Sequence, residues 1–298
     1  MRMHCQALWV IVVLVLAAGC GKSAPAASAS ESARPLRILS LTPNITEVLF
    51  AMGLGDKVVG RSTFCAYPPA ALAVPAVGDT LQLSLEKVIR LEPTLCFMIT
   101  RREAIPRRLQ GLGIRTVSLD SDTMQEMLES IRIIGRETHR EDAAGALVAR
   151  IQADLDDVRR RVAGLARKKV LFAFPMTVGS SRIMVAGRGT FVDELLSVAG
   201  AENAYPEQAD WPSIGPQQVV ALAPEVVVIN AAGDDAPADR IDAIRRAWRS
   251  LPSVPAVAGG RVHVLMESYL TIPGPRVGQA ARLLAETIHP QPGQGPKP

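Results

Sequence analysis

Aromatic residues are scarce in this sequence: six Phe, three Tyr and three Trp among 298 residues. A core must therefore be built mainly from Val, Leu, Ile and Ala, so a ring set among prolines and glycines needs a reason other than core filling. Histidine is scarcer still. His4, His139, His263 and His289 are scattered, with no HExxH and no paired-carboxylate spacing that would hold zinc. His263, in Arg-Val-His-Val, reads as structural. Gly179-Ser180-Ser181 is no nucleophile elbow, because no glycines bracket a serine as GxSxG requires. Gly187-Arg188-Gly189-Thr190 lacks the Gly-Lys of a phosphate loop and the full GxGxxG, and reads as a turn followed by a helix capped by Thr190. These absences argue against catalysis, a metal site and a catalytic cofactor.

Charge of one sign is also lacking. Lys and Arg total 33 against 29 Asp and Glu, a net charge of +4, and no basic run is interleaved with aromatics. That excludes a nucleic-acid surface; Arg159-Arg160-Arg161 and Arg167-Lys168-Lys169 lie in a helical pattern as its solvated face. What is present is globular: 48% apolar, 21% charged, 23 Gly and 22 Pro.

The N-terminus reads as an address. Arg2 and His4 precede an apolar run from Ala7 to Ala18, about a dozen residues where a membrane-spanning helix needs ~20. Small residues lead into Cys20, as in a lipobox, which makes Cys20 the lipidation site and residues 1–19 a signal peptide. Residues 20–35 are then the lipidated cysteine and a small, polar, Pro-punctuated tether. Of the four cysteines, Cys65 and Cys96 remain for the folded part; Cys96 sits in an apolar run as core, and no disulfide is expected.

The remainder predicts an α/β fold of two small parallel-sheet lobes joined by one long backbone helix, with a ligand cleft between them. Residues 36–140 form the first lobe, 141–167 the spine, 168–289 the second lobe, and 290–298 a disordered tail. Strand Arg37 to Leu41 ends at Thr42-Pro43, a helix cap with proline in the first turn, and Ile45, Val48, Leu49 and Met52 follow at helical spacing. Val58-Val59-Gly60 completes a βαβ opening. Helix from Leu85 to Leu91, strand from Leu95 to Ile99, helix from Ile105 to Leu112 and strand from Thr116 to Leu119 come next. From Glu141 to Ala166, Ala144, Leu147, Val148, Ile151, Leu155, Val158, Val162 and Leu165 repeat at steps of three and four, predicting one helix of about 26 residues. Strands from Val170 to Phe174, Ile183 to Ala186, Val226 to Ile229 and Val262 to Leu265 alternate with helices from Thr190 to Val198, around Trp248 and from Arg276 to Ile288.

An internal repeat supports two lobes. Residues 86–93 align with 217–224 at an offset of 131, each segment ending in Pro before an apolar strand, and Glu47, Leu49 and Gly53 match Glu194, Leu196 and Gly200 at an offset of 147. Two such lobes across a rigid helix leave an interdomain cleft, where ligands bind.

These segments carry a family resemblance. Ser40-Leu41-Thr42-Pro43-Asn44-Ile45-Thr46-Glu47, Cys65-Ala66-Tyr67-Pro68-Pro69, Val77-Gly78, Leu85-Glu86-Lys87-Val88, Leu91-Glu92-Pro93 and Gly187-Arg188-Gly189-Thr190-Phe191 with Gly200 and Asn203 together resemble the cobalamin and iron-siderophore periplasmic binding proteins of ABC importers. The resemblance runs from Arg37 to Ile288, and Tyr-Pro-Pro leans toward the cobalamin branch. It implies a non-enzymatic, monomeric, lipid-anchored receptor, in the periplasm or at the cell surface, that delivers cobalamin or a related corrinoid to a permease and its ATPase. Haem or a ferric siderophore is the alternative ligand within the class, with Tyr67 as axial oxygen ligand for haem, or Arg101, Arg102 or Arg276 as charge for a siderophore. A metal-dependent enzyme, a metal-ion receptor and an adhesion or signalling module are alternatives of other classes.

Carried over by position, the resemblance points Tyr67 and Trp211 into the cleft from opposite lobes, with Thr80, Leu81, Ile99, Met176, Ser268 and Tyr269 as further lining. The residues agree: Tyr67 precedes two prolines and Trp211 one, which puts both in loops. The chain departs from corrinoid-binding members at Thr80, where they carry tryptophan, and at Glu267-Ser268, where they carry aspartate. In the family one glutamate on each lobe meets arginines of the permease. Glu86 matches the first, whereas Gln217 stands at the second, so docking is asymmetric or Glu207 or Glu225 substitutes. The long spine implies a small closure on binding.

Overall fold

The computed structural model describes residues 35–99, 104–175, 182–208, 210–232 and 238–290. The signal peptide, Cys20 and most of the tether, Arg101, Arg102, Met176, Gly179-Ser180-Ser181 and the tail from 291 lie outside them.

In chain order the first lobe holds β1 (Ile38–Ser40), α1 (Pro43–Ala51), β2 (Val58–Arg61), α2 (Leu85–Leu91), β3 (Leu95–Met98), α3 (Ala104–Gln110), β4 (Arg115–Ser118) and α4 (Met124–Thr138). The spine is α5 (Glu141–Val162). The second lobe holds β5 (Lys168–Ala173), β6 (Ile183–Met184), α6 (Phe191–Val198), β7 (Ala201–Asn203), β8 (Ser213–Ile214), α7 (Pro216–Leu222), β9 (Val226–Asn230), α8 (Ala238–Arg249), α9 (Pro255–Ala258), β10 (Val262–Leu265) and α10 (Val277–Ile288). The sheets run β2-β1-β3-β4 and β7-β5-β9-β10, both wholly parallel, so the two lobes share one strand order. The short β6-β8 pair is antiparallel.

The repeat is geometric as well as sequential. At the offset of 131, α2 superposes in number on α7, and both end in a non-glycine left-handed cap, Glu92 at φ 45° and Ala223 at φ 46°, each followed by proline. At the offset of 147, Gly53 (φ 73°) and Gly200 (φ 76°) close α1 and α6. Left-handed backbone is costly away from glycine, so the same rare cap at matched positions marks two copies of one unit.

Strand periodicity explains the layers. Ile38 and Phe97 face inward, into a core that continues through Ile151, Leu155 and Val158 of the spine to Phe172, Leu196, Val226 and Leu284 of the second lobe. Leu39 and Cys96 face outward beneath α2 and α3, and Leu171 and Val227 outward toward Trp248 of α8. Each parallel sheet is thus covered on both faces. Cys65 and Cys96 are buried free thiols, and burial pushes both upward from the ordinary thiol range.

Two expectations are corrected and one helix is added. The spine has 22 residues rather than 26, because Ala163 turns to an extended conformation (ψ 129°) and Gly164 takes φ 82°, which breaks the helix before Leu165. Thr42 does not cap α1: its hydroxyl makes no cap bond and is buried without a partner, while Thr46 donates to the Thr42 carbonyl instead. The 15-residue α4 had no counterpart in the periodicity reading, although Thr123 and Glu126 form a capping box at its start. Thr190 does cap α6, accepting from the Asp193 N–H at 3.2 Å.

Helix α5 is gripped from two sides. A Cβ on Gly135 of α4 would stand 2.6 Å from the Ala144 Cβ, and one on Gly278 of α10 would stand 2.5 Å from the Asp154 Cβ. Only glycine allows the helices to approach this closely. Among the described residues no helix is long and apolar enough to cross a membrane.

Candidate functional site

In a parallel sheet the loops leaving the strands gather at one edge, the carboxyl edge, where side chains from several strands converge. Tyr67 follows β2, Ile99 follows β3, and Ser268 and Tyr269 follow β10. Among the described residues, hydrogen bonds tie the carboxyl edges of the two lobes at two points. At one, Phe191 N–H donates to the Asp122 carbonyl at 2.7 Å and Met124 N–H to Glu194 Oε2 at 2.6 Å, tying α6 to the start of α4.

At the other, Glu47 of α1 receives Arg276 in a bidentate pair: Nη2 to Oε1 at 2.6 Å and Nε to Oε2 at 2.8 Å. Their side chains are 2% and 11% exposed. Burial pushes the Glu47 carboxyl up, opposed by the hydrogen bonds and charge of Arg276. The matched glutamates therefore both cross the interface, Glu47 to a side chain and Glu194 to a backbone amide.

The Arg276 guanidinium lies 3.9 Å from the centre of the Tyr67 ring and 5.0 Å from that of Tyr269. Tyr67 is 43% exposed, in a loop where the Tyr67–Pro68 peptide is cis. Burial, followed by the charge of Glu267, raises the Tyr269 phenol. In the second lobe Trp211, 38% exposed, meets Phe174 edge-on at 5.2 Å. Thus Tyr67, Tyr269 and Arg276 come together, whereas Trp211 belongs to a separate cluster with Phe174 and Phe172.

The other expected lining residues spread out. Leu81 is 71% exposed at the tip of a turn in which the Asp79 carboxylate accepts the Leu81 and Gln82 N–H groups, and Thr80 beside it is half-buried. Ile99 packs partly against the main core, and Ser268 is exposed. Periodicity missed Phe64, 68% exposed in the same loop as Tyr67, and the Glu47 pairing. The signal for Glu47 was a carboxylate set among the apolar positions of α1; that for Phe64 was a scarce aromatic three residues before Tyr67.

Glu86 is exposed in the first turn of α2 and pairs with Arg90, and Gln217 is exposed at the equivalent place in α7. Glu225 accepts the Lys169 N–H at 2.8 Å beside the amino ends of β5 and β9, at the opposite edge of the sheet. Glu207 is engaged by the Tyr205 hydroxyl at 3.0 Å.

His263 is half-buried in β10, and burial together with Lys168 holds its imidazole below the ordinary range. Among the described residues no group of His, Cys, Asp and Glu gathers as a metal site. A groove of about 370 Å³ between α4 and α5 and one of about 720 Å³ between α4, α5 and α6 share Met124, Leu128, Gln152 and Arg159, and carry none of the expected residues.

Comparison with known proteins matches residues 38–269 to the family described as periplasmic binding protein. The ABC transporter substrate-binding lipoprotein YvrC of Bacillus subtilis, itself uncharacterized, is 32% identical over 262 residues, covering 86% of this chain and 81% of the relative. A vitamin B12-binding protein of Pectobacterium carotovorum is 25% identical, covering 86% and 89%. Among solved structures, the periplasmic heme-binding protein BhuT in complex with two hemes aligns with a TM-score of 0.74 at 26% identity, over 85% of this chain and 97% of that one. The fold, the repeat and these matches agree: the chain belongs to the periplasmic binding protein family, as a non-enzymatic substrate-binding component of an ABC transporter.

Proposed function

We propose that this protein binds a flat tetrapyrrole-type macrocycle between its lobes, a corrinoid first, and hands it to a membrane permease while anchored as a monomer through lipidated Cys20. The observation that carries this reading is the exposure of Tyr67 and Trp211 in a chain so poor in aromatics, one ring on each lobe beside the carboxyl edges. Rings held by loops, and not consumed by core packing, offer apolar and π contact to a planar ligand. The vitamin B12-binding relatives support the corrinoid choice.

Haem is the second reading, favoured by the open phenol of Tyr67, an oxygen donor suited to ferric iron. The heme-binding proteins BhuT and RhuT, the latter 27% identical with a TM-score of 0.72, support it. An anionic siderophore is less well supported, because the charge of Arg276 is already matched by Glu47.

Titration of the purified protein with cyanocobalamin and haemin, followed by tryptophan fluorescence, tests the choice. Quenching by micromolar cyanocobalamin supports the corrinoid, and its absence overturns it. A Soret shift abolished by Tyr67→Phe assigns haem.

A further inference from the structure

We propose that Arg276 is a positioning residue of the cleft: anchored by Glu47 and set between Tyr67 and the core-packed Tyr269, its guanidinium sets the ring plane of Tyr67 and leaves that ring open to ligand. The consequence for ligand affinity rests on the macrocycle reading; the positioning itself does not.

Three observations lead there. The guanidinium is immobilised, since two of its nitrogens are held by a carboxylate that is itself buried. It stacks at 3.9 Å on Tyr67 and stands 5.0 Å from Tyr269, so one planar cation contacts rings from both lobes. Neither tyrosine hydroxyl makes a hydrogen bond among the described residues; Tyr269 is also packed against the main core, so it is the exposed Tyr67 ring that depends on the arginine contact for its orientation. A cation behind an aromatic ring draws its π density rearward, and the open face then favours an electron-rich π system. Holding the rings in place before the ligand arrives also spares the ordering cost of binding.

Lysine keeps the positive charge for Glu47 but lacks the planar fork that stacks and pairs bidentately. In the full chain, Arg276→Lys should remain folded by far-UV circular dichroism and lose the near-UV tyrosine band that Tyr67→Phe also removes. It should increase nitration of Tyr67 by tetranitromethane, mapped by mass spectrometry, and weaken the tighter of haemin and cyanocobalamin by about tenfold. Should the lysine variant fail to fold, the double variant Glu47→Leu/Arg276→Met, which removes the buried pair together, takes its place with the same expectations. Unchanged tyrosine dichroism and nitration in a folded variant overturn the proposal. If the wild-type chain binds neither macrocycle but the tyrosine band still depends on Arg276, the macrocycle reading falls and the positioning role stands.

Discussion

Glu47 and Arg276, 229 residues apart, form a buried bidentate ion pair that joins the helix opening the first lobe to the helix closing the second. Breaking a buried pair by removing one partner strands a charge, at a cost of roughly 3–5 kcal/mol. Arg276→Met should therefore lower stability by about that amount in urea unfolding, and Glu47→Leu/Arg276→Met should recover most of it. Equal losses in the single and double variants would show that packing, not charge, holds this junction.

The grip on the spine predicts opposite signs for two glycines. Gly135→Ala places a methyl against Ala144 and should destabilise by about 1–3 kcal/mol through overpacking. Gly145→Ala, ten residues on in α5, meets nothing within 4 Å and should stabilise by about 0.5–1 kcal/mol through helix propensity. Thermal melts of the two variants decide it; a shift of the same sign in both would refute the close crossing.

Acid should weaken the second lobe. Burial and Lys168 hold His263 below the ordinary value, and burial holds His289 below it, although His289 also meets the Gly200 carbonyl at 3.1 Å. The folded state thus binds fewer protons than the unfolded chain between the unfolded value near 6.5 and the lower folded values. Stability from these groups is complete above about pH 6.5 and declines as pH falls through that window. His263→Gln with His289→Gln should flatten the melting temperature between about pH 7.5 and 5.5, measured by calorimetry.

Trp211→Ala should weaken macrocycle binding about tenfold, equivalent to ~1.4 kcal/mol, and leave the melting temperature within a few degrees, because the ring is 38% exposed and meets Phe174 edge-on. Isothermal titration with whichever of cyanocobalamin or haemin binds the wild type is the check. Undiminished affinity would remove Trp211 from the site.

Docking to the permease is predicted to be asymmetric. Glu86→Ala should slow uptake in membranes without altering ligand affinity, since its carboxylate is exposed at a helix start and, among the described residues, pairs with Arg90 alone. Gln217→Glu, which restores the charge at the repeat-related position, should speed uptake. Transport rates indifferent to both substitutions would place the docking surface elsewhere.

Much of the fold was legible because periodicity is local. Alternating strands and helices, the spine, and the offsets of 131 and 147 follow from spacing alone, and the matched caps at Glu92 and Ala223 bear the repeat out. Helix α4 is missing from that reading, although Met127, Ile131 and Ile134 recur at helical spacing and its capping box is readable. Tyr67 and Trp211 stood out as rare rings beside prolines, and both are exposed in loops. Pairings across hundreds of residues leave no such trace. Spacing shows Glu47 as one more helical carboxylate and Arg276 as a charge available to a ligand; only the packing of the second lobe brings Nε and Nη2 of Arg276 onto Glu47. By itself the sequence determined most of the elements, the two-lobe plan and which residues were unusual, because propensity, patterning and turn chemistry act over a few residues. The tertiary structure alone decided which of those residues meet, since a contact between distant chain segments depends on how whole lobes pack around the spine.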